Sequence, residues 1–387
     1  MHARTWLSVL SLPLVAAFTL PVLRQGAQPQ AQPKPGVKAA PQDPLAGLSD
    51  IQDVLSLVQQ NYVDAPDMEK VVAGGVQAVL ERSHPLNAYL TAEDLRLPEP
   101  GPAEAGLVVL KRGIYATVLA VAPGGPGAKA GIQAGDVIRK VDGDSVGRLS
   151  AWALERRLRG AEGSALDLYR YNATGDLTKT TLQRQHLAKA PITLKPGAQA
   201  LMVSLPDLTP GRAEELKKLL AAQDHGHTLV LDLRQCAKGS MEEAAAVAGL
   251  LGATGTLGTL QEAGKPDRLV PVAGSGTPFI RSALLVGRST LGPSEVLAAS
   301  LKKGGAKVFG EKTPGLGVER SRFPLKQGGA VELVSRRWLG AGGEKLDRQG
   351  LTPDQILRLS EADDALAKVL AALQAPAPAA PASAKAS

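Results

Sequence analysis

Cysteine is nearly absent: Cys236 is the single one in 387 residues, so no internal disulfide can form. Histidine is scarce too, five in all, and none of the five stands at metal-ligand spacing. No C-x-x-C pair and no Gly-rich phosphate loop occurs, so no cofactor is expected. Aromatic residues make up only 3 % of a chain that is 44 % hydrophobic, so the cores must be packed from Leu, Val, Ile and Ala. The same shortage leaves no stacking residues among the basic ones, which argues against a nucleic-acid partner. There is no internal repeat.

The length suits two or three domains with sizeable cores. The formal net charge is +7, and much of it is local: Lys302 to Arg348 holds eleven Lys/Arg against five Asp/Glu. Such a stretch can touch anionic polymers or lipid headgroups; the reading favoured here is a solvated, charge-decorated surface. Trp6 to Leu23 is uncharged and apolar, with His2 and Arg4 before it and Arg24 after it, which is the pattern of an export signal. Pro13 and Pro21 interrupt it, no clean cleavage site follows, and it reaches only the low end of a membrane span. Residues 1–24 are therefore expected to be a cleaved signal or a retained anchor, with the globular part outside the cytoplasm and no other contact with the membrane. Residues 25–44 and 375–387, rich in Pro and Ala, are expected to be a disordered linker and tail.

Between the two tracts, residues 45–97 predict a helical segment. Ile51, Val54, Leu55 and Val58 share one helix face, and Val72, Val76 and Leu80 share another, with a break over Asn61 to Lys70. Residues 104–184 predict strand, turn, short helix from Pro126 closed by Gly131, strand Val137 to Val141, an Asp142-Gly143 hairpin turn and a helix over Ser150 to Arg159. This run resembles a PDZ domain of exported bacterial proteases. The resemblance implies that the loop Gly106, Leu107, Val108, Val109 receives a peptide carboxylate on backbone N–H groups, with Leu154 and Leu158 on the facing helix. A glycine at 106 keeps a Cβ out of the carboxylate's way.

From residue 190 to 374, strands alternate with helices: Thr228 to Arg234 and Ser282 to Arg288 are buried strands, and Gly211 to Gln223, Met241 to Leu251 and Pro293 to Gly305 are helices. The succession implies parallel strands with helices packed on them. The strings "VLDLRQCAKGS", "TLGPSEV" and "GEKTPGLG" resemble, in order, three loops of the carboxy-terminal processing peptidases, serine peptidases of family S41 with a PDZ domain. "NYVD" and "NAYLT" before the PDZ region fit the same family. The expected fold is thus a mixture of α/β and β: an amino-terminal helical segment, a PDZ domain and a crotonase-like α/β peptidase core.

The resemblance also places the family's chemistry on this chain, and there it fails. The nucleophile position is Gly292, which has no side chain to attack a carbonyl. The base position, where the family needs a lysine made neutral by burial, is Leu316. The accessory position falls at Arg320, or at Glu319 if the loop slips. The family's Asn-Asn-Pro-Gly oxyanion loop reads Gln235, Cys236, Ala237, Lys238. Ser294 with Lys312, Ser289, or Cys236 with His225 or His227 are the fallback pairings. The expected protein is a member with a degenerate site that binds carboxy-terminal or unfolded peptide segments, or an envelope partner. The alternatives are an active endopeptidase with a relocated nucleophile and a structural envelope protein.

Overall fold

The computed structural model describes residues 47–374 except 173, 199, 277 and 360–362, so the expected signal or anchor, linker and tail lie outside the described residues. The described residues fall into two units, 47–64 and 65–374. The first contributes helix α1 (Leu48–Asn61), which carries the apolar spacing read from the sequence and has no buried residue.

The second unit opens with α2 (Met68–Ser83), started by Asp67, whose side chain accepts from the Lys70 N–H. Strand β1 (Ala88–Leu90) follows. The PDZ domain comprises β2 (Ala103–Glu104), β3 (Leu107–Arg112), β4 (Tyr115–Val121), helix α3 (Pro126–Lys129), β5 (Val137–Val141), β6 (Asp144–Ser145), α4 (Ala151–Arg157), β7 (Arg159–Gly160), β8 (Ala165–Tyr171) and β9 (Leu177–Gln183). Its main sheet has the order β3-β4-β5-β8-β9, which leaves β3 at an edge. Asp142 and Gly143 both take positive φ (49° and 86°), the type I′ geometry that the Asp-Gly pair predicts. Ser150 caps α4, so the helix begins one residue later than the sequence suggests.

The core begins with β10 (Thr193–Gly197), β11 (Ala200–Ser204), α5 (Arg212–Leu220), β12 (Thr228–Asp232), α6 (Met241–Leu250), β13 (Thr256–Glu262) and β14 (Arg268–Pro271). It continues through β15 (Arg281–Val286), α7 (Pro293–Lys303), β16 (Lys307–Gly310), β17 (Val318–Pro324), β18 (Ala330–Gly340), β19 (Gln355–Ile356) and α8 (Ala365–Gln374). Strands β11, β12, β15, β16 and β19 run parallel, with β10 antiparallel on the outside. Side chains alternate between the two faces of this sheet, as the strand period requires. Val203, Leu229, Leu231, Leu284 and Val308 pack under α5 to α7, whereas Met202, Val230, Ala283, Leu285 and Phe309 pack under α8.

The sequence pattern does not predict a second sheet in this region, but the structure has one. β17, β18, β1, β13 and β14 form an antiparallel layer, joined to the main core through Leu257, Leu260 and Trp338. Arg320, Arg322, Arg336 and Arg337 of the basic stretch lie on its strands, where Arg322 pairs with Glu332 and Arg336 with Glu319, each at 2.7 Å; Lys302, on α7, pairs with Asp354 at 2.9 Å. The solvated-surface reading fits this arrangement. Among the described residues no helix is long and apolar enough to cross a membrane.

Candidate active site

Three neighbouring parallel strands, β12, β15 and β16, release their chains at the same sheet edge, which is where open α/β sheets build sites. The loops after them are the three that carry the family strings. In the first, the backbone carbonyl of Cys236 accepts from the Leu291 N–H at 3.2 Å and the Ser294 hydroxyl at 2.6 Å. The Ala237 N–H is spent on the Gln235 carbonyl at 3.0 Å. This loop therefore turns a carbonyl, an acceptor, toward the nucleophile turn. An oxyanion hole needs donors there.

The nucleophile turn is held by Thr290, whose fully buried hydroxyl donates to the Leu233 carbonyl at 2.9 Å and accepts from the Gly287 N–H at 2.9 Å. Gly292 follows at φ 57° and ψ −112°, the first central position of a type II′ turn, where glycine is favoured. A Cβ added there would lie 3.3 Å from the Leu316 carbonyl oxygen. Pro293 then begins α7. At a nucleophile on a strand-to-helix turn, the N–H of the next residue is the natural oxyanion donor, and proline has none.

Glu295 is the group that the sequence reading passed over. It is fully buried, and its carboxylate ties the second and third loops together. One oxygen accepts from the Gly315 N–H at 2.7 Å and the Thr313 hydroxyl; the other accepts from the Gly292 N–H at 3.0 Å and the Leu316 N–H at 2.6 Å. Burial pushes its carboxyl above the ordinary value, against the pull of these four donors. The signal was present: a glutamate at the third helical position, as in a capping box. The site is thus not purely apolar, as emptying it would suggest, but has a carboxylate beneath it.

Above the carboxylate the site is closed by leucines. Leu291 packs with Leu110 of β3 and Leu119 of β4, and Leu316, Ala237, Val108 and Leu86 complete the cluster. The PDZ domain therefore sits on the Gly292/Leu316 position. Arg320 on β17 pairs with Glu155 of α4 at 2.9 Å and Glu332 at 3.6 Å, and Glu319 holds Arg336 and the Trp338 indole.

The fallback groups are dispersed. Ser294 is 1 % exposed and donates to the Cys236 and Leu291 carbonyls, while Lys312 is exposed. The Ser289 hydroxyl donates to the Leu119 carbonyl at 2.6 Å. Cys236 is buried, which pushes its thiol well up. His227 precedes β12 and lies by Asp224, and His225 stacks on Phe279, both at the far end of the strand from Cys236.

The predicted peptide-binding residues do not share one groove. Leu107, Leu154 and Leu158 are buried together inside the PDZ domain, with Val109 packed against them. Val108 turns the other way, toward the peptidase core. Gly106 is buried at φ 72°, and its N–H meets no acceptor among the described residues. It lines a cleft of about 600 Å³ between the PDZ domain and the core, with Val108, Ala120, Ala188, Ala237 and Lys238 among its walls. Among the described residues no cluster of three or more His, Cys, Asp or Glu is placed to hold a metal.

Residues 200–357 match the family model "Peptidase family S41", and residues 117–168 match a PDZ domain model. The "Probable CtpA-like serine protease" of Staphylococcus aureus is 24 % identical over 320 residues, covering 80 % of this chain and 64 % of its own length. "Carboxyl-terminal-processing peptidase 2, chloroplastic" of Arabidopsis thaliana is 27 % identical over 306 residues, 76 % of this chain and 56 % of its own. The chain thus spans less than two thirds of these curated relatives. The solved "photosystem II D1 C-terminal processing protease" superposes with a TM-score of 0.65 at 25 % identity, covering 80 % of this chain and 86 % of that one.

Proposed function

We infer, for a chain that belongs to peptidase family S41 and carries a PDZ domain, a role in binding peptides without cutting them. The observation that carries this reading is the closed site: glycine and leucine at the reacting positions, proline where a donor is needed, and PDZ leucines above them. Ser294 and Ser289 do not replace the nucleophile, because both hydroxyls are engaged with carbonyls and neither has a lysine partner among the described residues.

The binding half of the reading rests on Gly106. Its N–H meets no acceptor among the described residues and the residue lines the cleft, so a peptide's terminal carboxylate can accept from it. The adjoining cleft, of about 600 Å³, is large enough for a short apolar segment, with Lys129, Lys189 and Lys238 among its lining residues. Single peptides with apolar ends should bind in the micromolar range, about −8 kcal/mol. One assay tests both halves. Titration with labelled carboxy-terminal peptides should give saturable binding, no cleavage product and no adduct with serine-directed acylating probes. Gly106→Val should weaken binding at least tenfold, since its Cβ would meet the Ala122 Cβ at 3.3 Å at a positive φ. Gly292→Ser with Leu316→Lys should remain uncleaving, because Pro293 still offers no N–H. Turnover by the parent protein, or labelling at Ser294 or Ser289, would refute the reading.

We further place the globular part outside the cytoplasm, on the strength of Arg4 and the apolar run Trp6 to Leu23. A reporter fused after Pro44 should be active only if it is one that requires export; activity of a cytoplasm-dependent reporter would contradict this.

A further inference from the structure

We propose that the positions emptied of catalysis have become the seat that docks the PDZ domain on the peptidase core. The base position supplies an isobutyl group, Leu316, to the cluster of Leu110, Leu119 and Leu291. The accessory position supplies a guanidinium, Arg320, to Glu155 on α4 of the PDZ domain. The nucleophile turn supplies Ser289, 6 % exposed, whose hydroxyl reaches the Leu119 carbonyl.

That last contact is matched to a defect in the PDZ sheet. The β3–β4 register steps from Val108 opposite Ala120 to Val109 opposite Val118, so Leu119 is the extra residue of a bulge. A bulged residue falls out of the ladder and leaves backbone groups unpaired. Its carbonyl is satisfied by Ser289 of the core, and its side chain enters the leucine cluster. Undocking would therefore exchange the Ser289 bond for water and expose Leu110, Leu119 and Leu291, which are 2 %, 8 % and 4 % exposed in the docked state. A second ion pair, Lys238 with Glu104 at 2.5 Å, ties another point of the same two bodies. These partly exposed pairs fix orientation more than they add strength.

A lysine at 316, the residue type that catalysis needs, would put an ammonium group among these leucines. The seat and the catalytic base are thus mutually exclusive at this position. The inference goes beyond the binding role proposed above and does not need it: the PDZ domain is held as a fixed arm whether or not a peptide occupies it.

The test uses the full chain with spin labels at Arg139→Cys in the PDZ domain and Lys217→Cys in the core; both sites are exposed, and Cys236 is buried. The parent should give one narrow distance distribution that carboxy-terminal peptides do not move. Leu316→Lys should broaden it and speed amide exchange at Val118 to Ala120 at least tenfold. Ser289→Ala combined with Arg320→Ala gives the same readout should the lysine variant not fold. A broad distribution in the parent, or a narrow one in the folded variants, overturns the proposal. A narrow distribution in a protein that binds no peptide upholds the docking while refuting the binding role.

Discussion

Glu295→Ala should destabilise the protein by about 4 kcal/mol and lower its melting temperature by roughly 10 °C. The substitution leaves three backbone N–H groups, those of Gly292, Gly315 and Leu316, and the Thr313 hydroxyl without their acceptor. Each buried donor so stranded costs on the order of 1–3 kcal/mol, and the loops relax only in part. Glu295→Gln keeps one accepting oxygen but turns an NH₂ toward two donors, so its cost should be about half that of the alanine variant. Amide exchange at Gly315 and Leu316 should rise in both variants before the rest of the core is affected. An alanine variant within about 1 kcal/mol of the parent would show that the carboxylate is not the clamp.

The clamp also explains what could and could not be read from the sequence. The PDZ fold and the parallel sheet were legible because each strand and turn carries its own local signal: Asp142-Gly143 for a hairpin, apolar runs for β12 and β15, and proline at the start of α7. Gly292 and Leu316, at the positions where the resemblance puts the family's nucleophile and base, are legible because each is one residue type at one position. The antiparallel layer was not, because β17 (Val318–Pro324) and β18 (Ala330–Gly340) mix charged and apolar residues without the alternation that marks a half-buried strand, and their charges find partners only across strands. Arg322 pairs with Glu332 and Arg336 with Glu319, contacts that exist only once the strands are in register. The role of Glu295 was hidden for the same reason. A helix-start glutamate ordinarily serves its own helix, and the reach to Thr313, Gly315 and Leu316 is a tertiary fact.

The assignment of Leu154 and Leu158 to a peptide groove shows the limit of periodicity. Residues four apart share a helix face, but periodicity does not say whether that face meets a ligand or the domain's own core. Here the shared face meets Ile138, Leu166 and Leu168. Docking on the core also gives the opposite face of β3 a use, through Val108 and Leu110.

Acid should loosen the joint between the PDZ domain and the core through one carboxylate, Asp207. Burial pushes this carboxyl up, but the Arg212 guanidinium and the hydroxyl and N–H of Thr209 outweigh it and hold it at about 2. Arg212 is 1 % exposed and bridges Asp207 to the carbonyl of Ala190, in the segment that leads from the PDZ domain into β10. The folded value lies below the unfolded 3.8, so the folded state binds fewer protons between the two. The stabilisation is therefore complete above pH ~4 and is lost as the pH falls through ~2, in total about 2 kcal/mol. Asp207→Asn should cost about 3 kcal/mol at pH 7, because Arg212 keeps only Glu215 as a charged partner and a buried charge loses its closest ion. The same variant should be nearly indifferent to pH between 4 and 2 where the parent weakens, and proteolysis near Ala190 should follow the same difference. Parallel acid profiles for parent and Asp207→Asn would assign the loss to other carboxylates and leave the Arg212 bridge without a part in it.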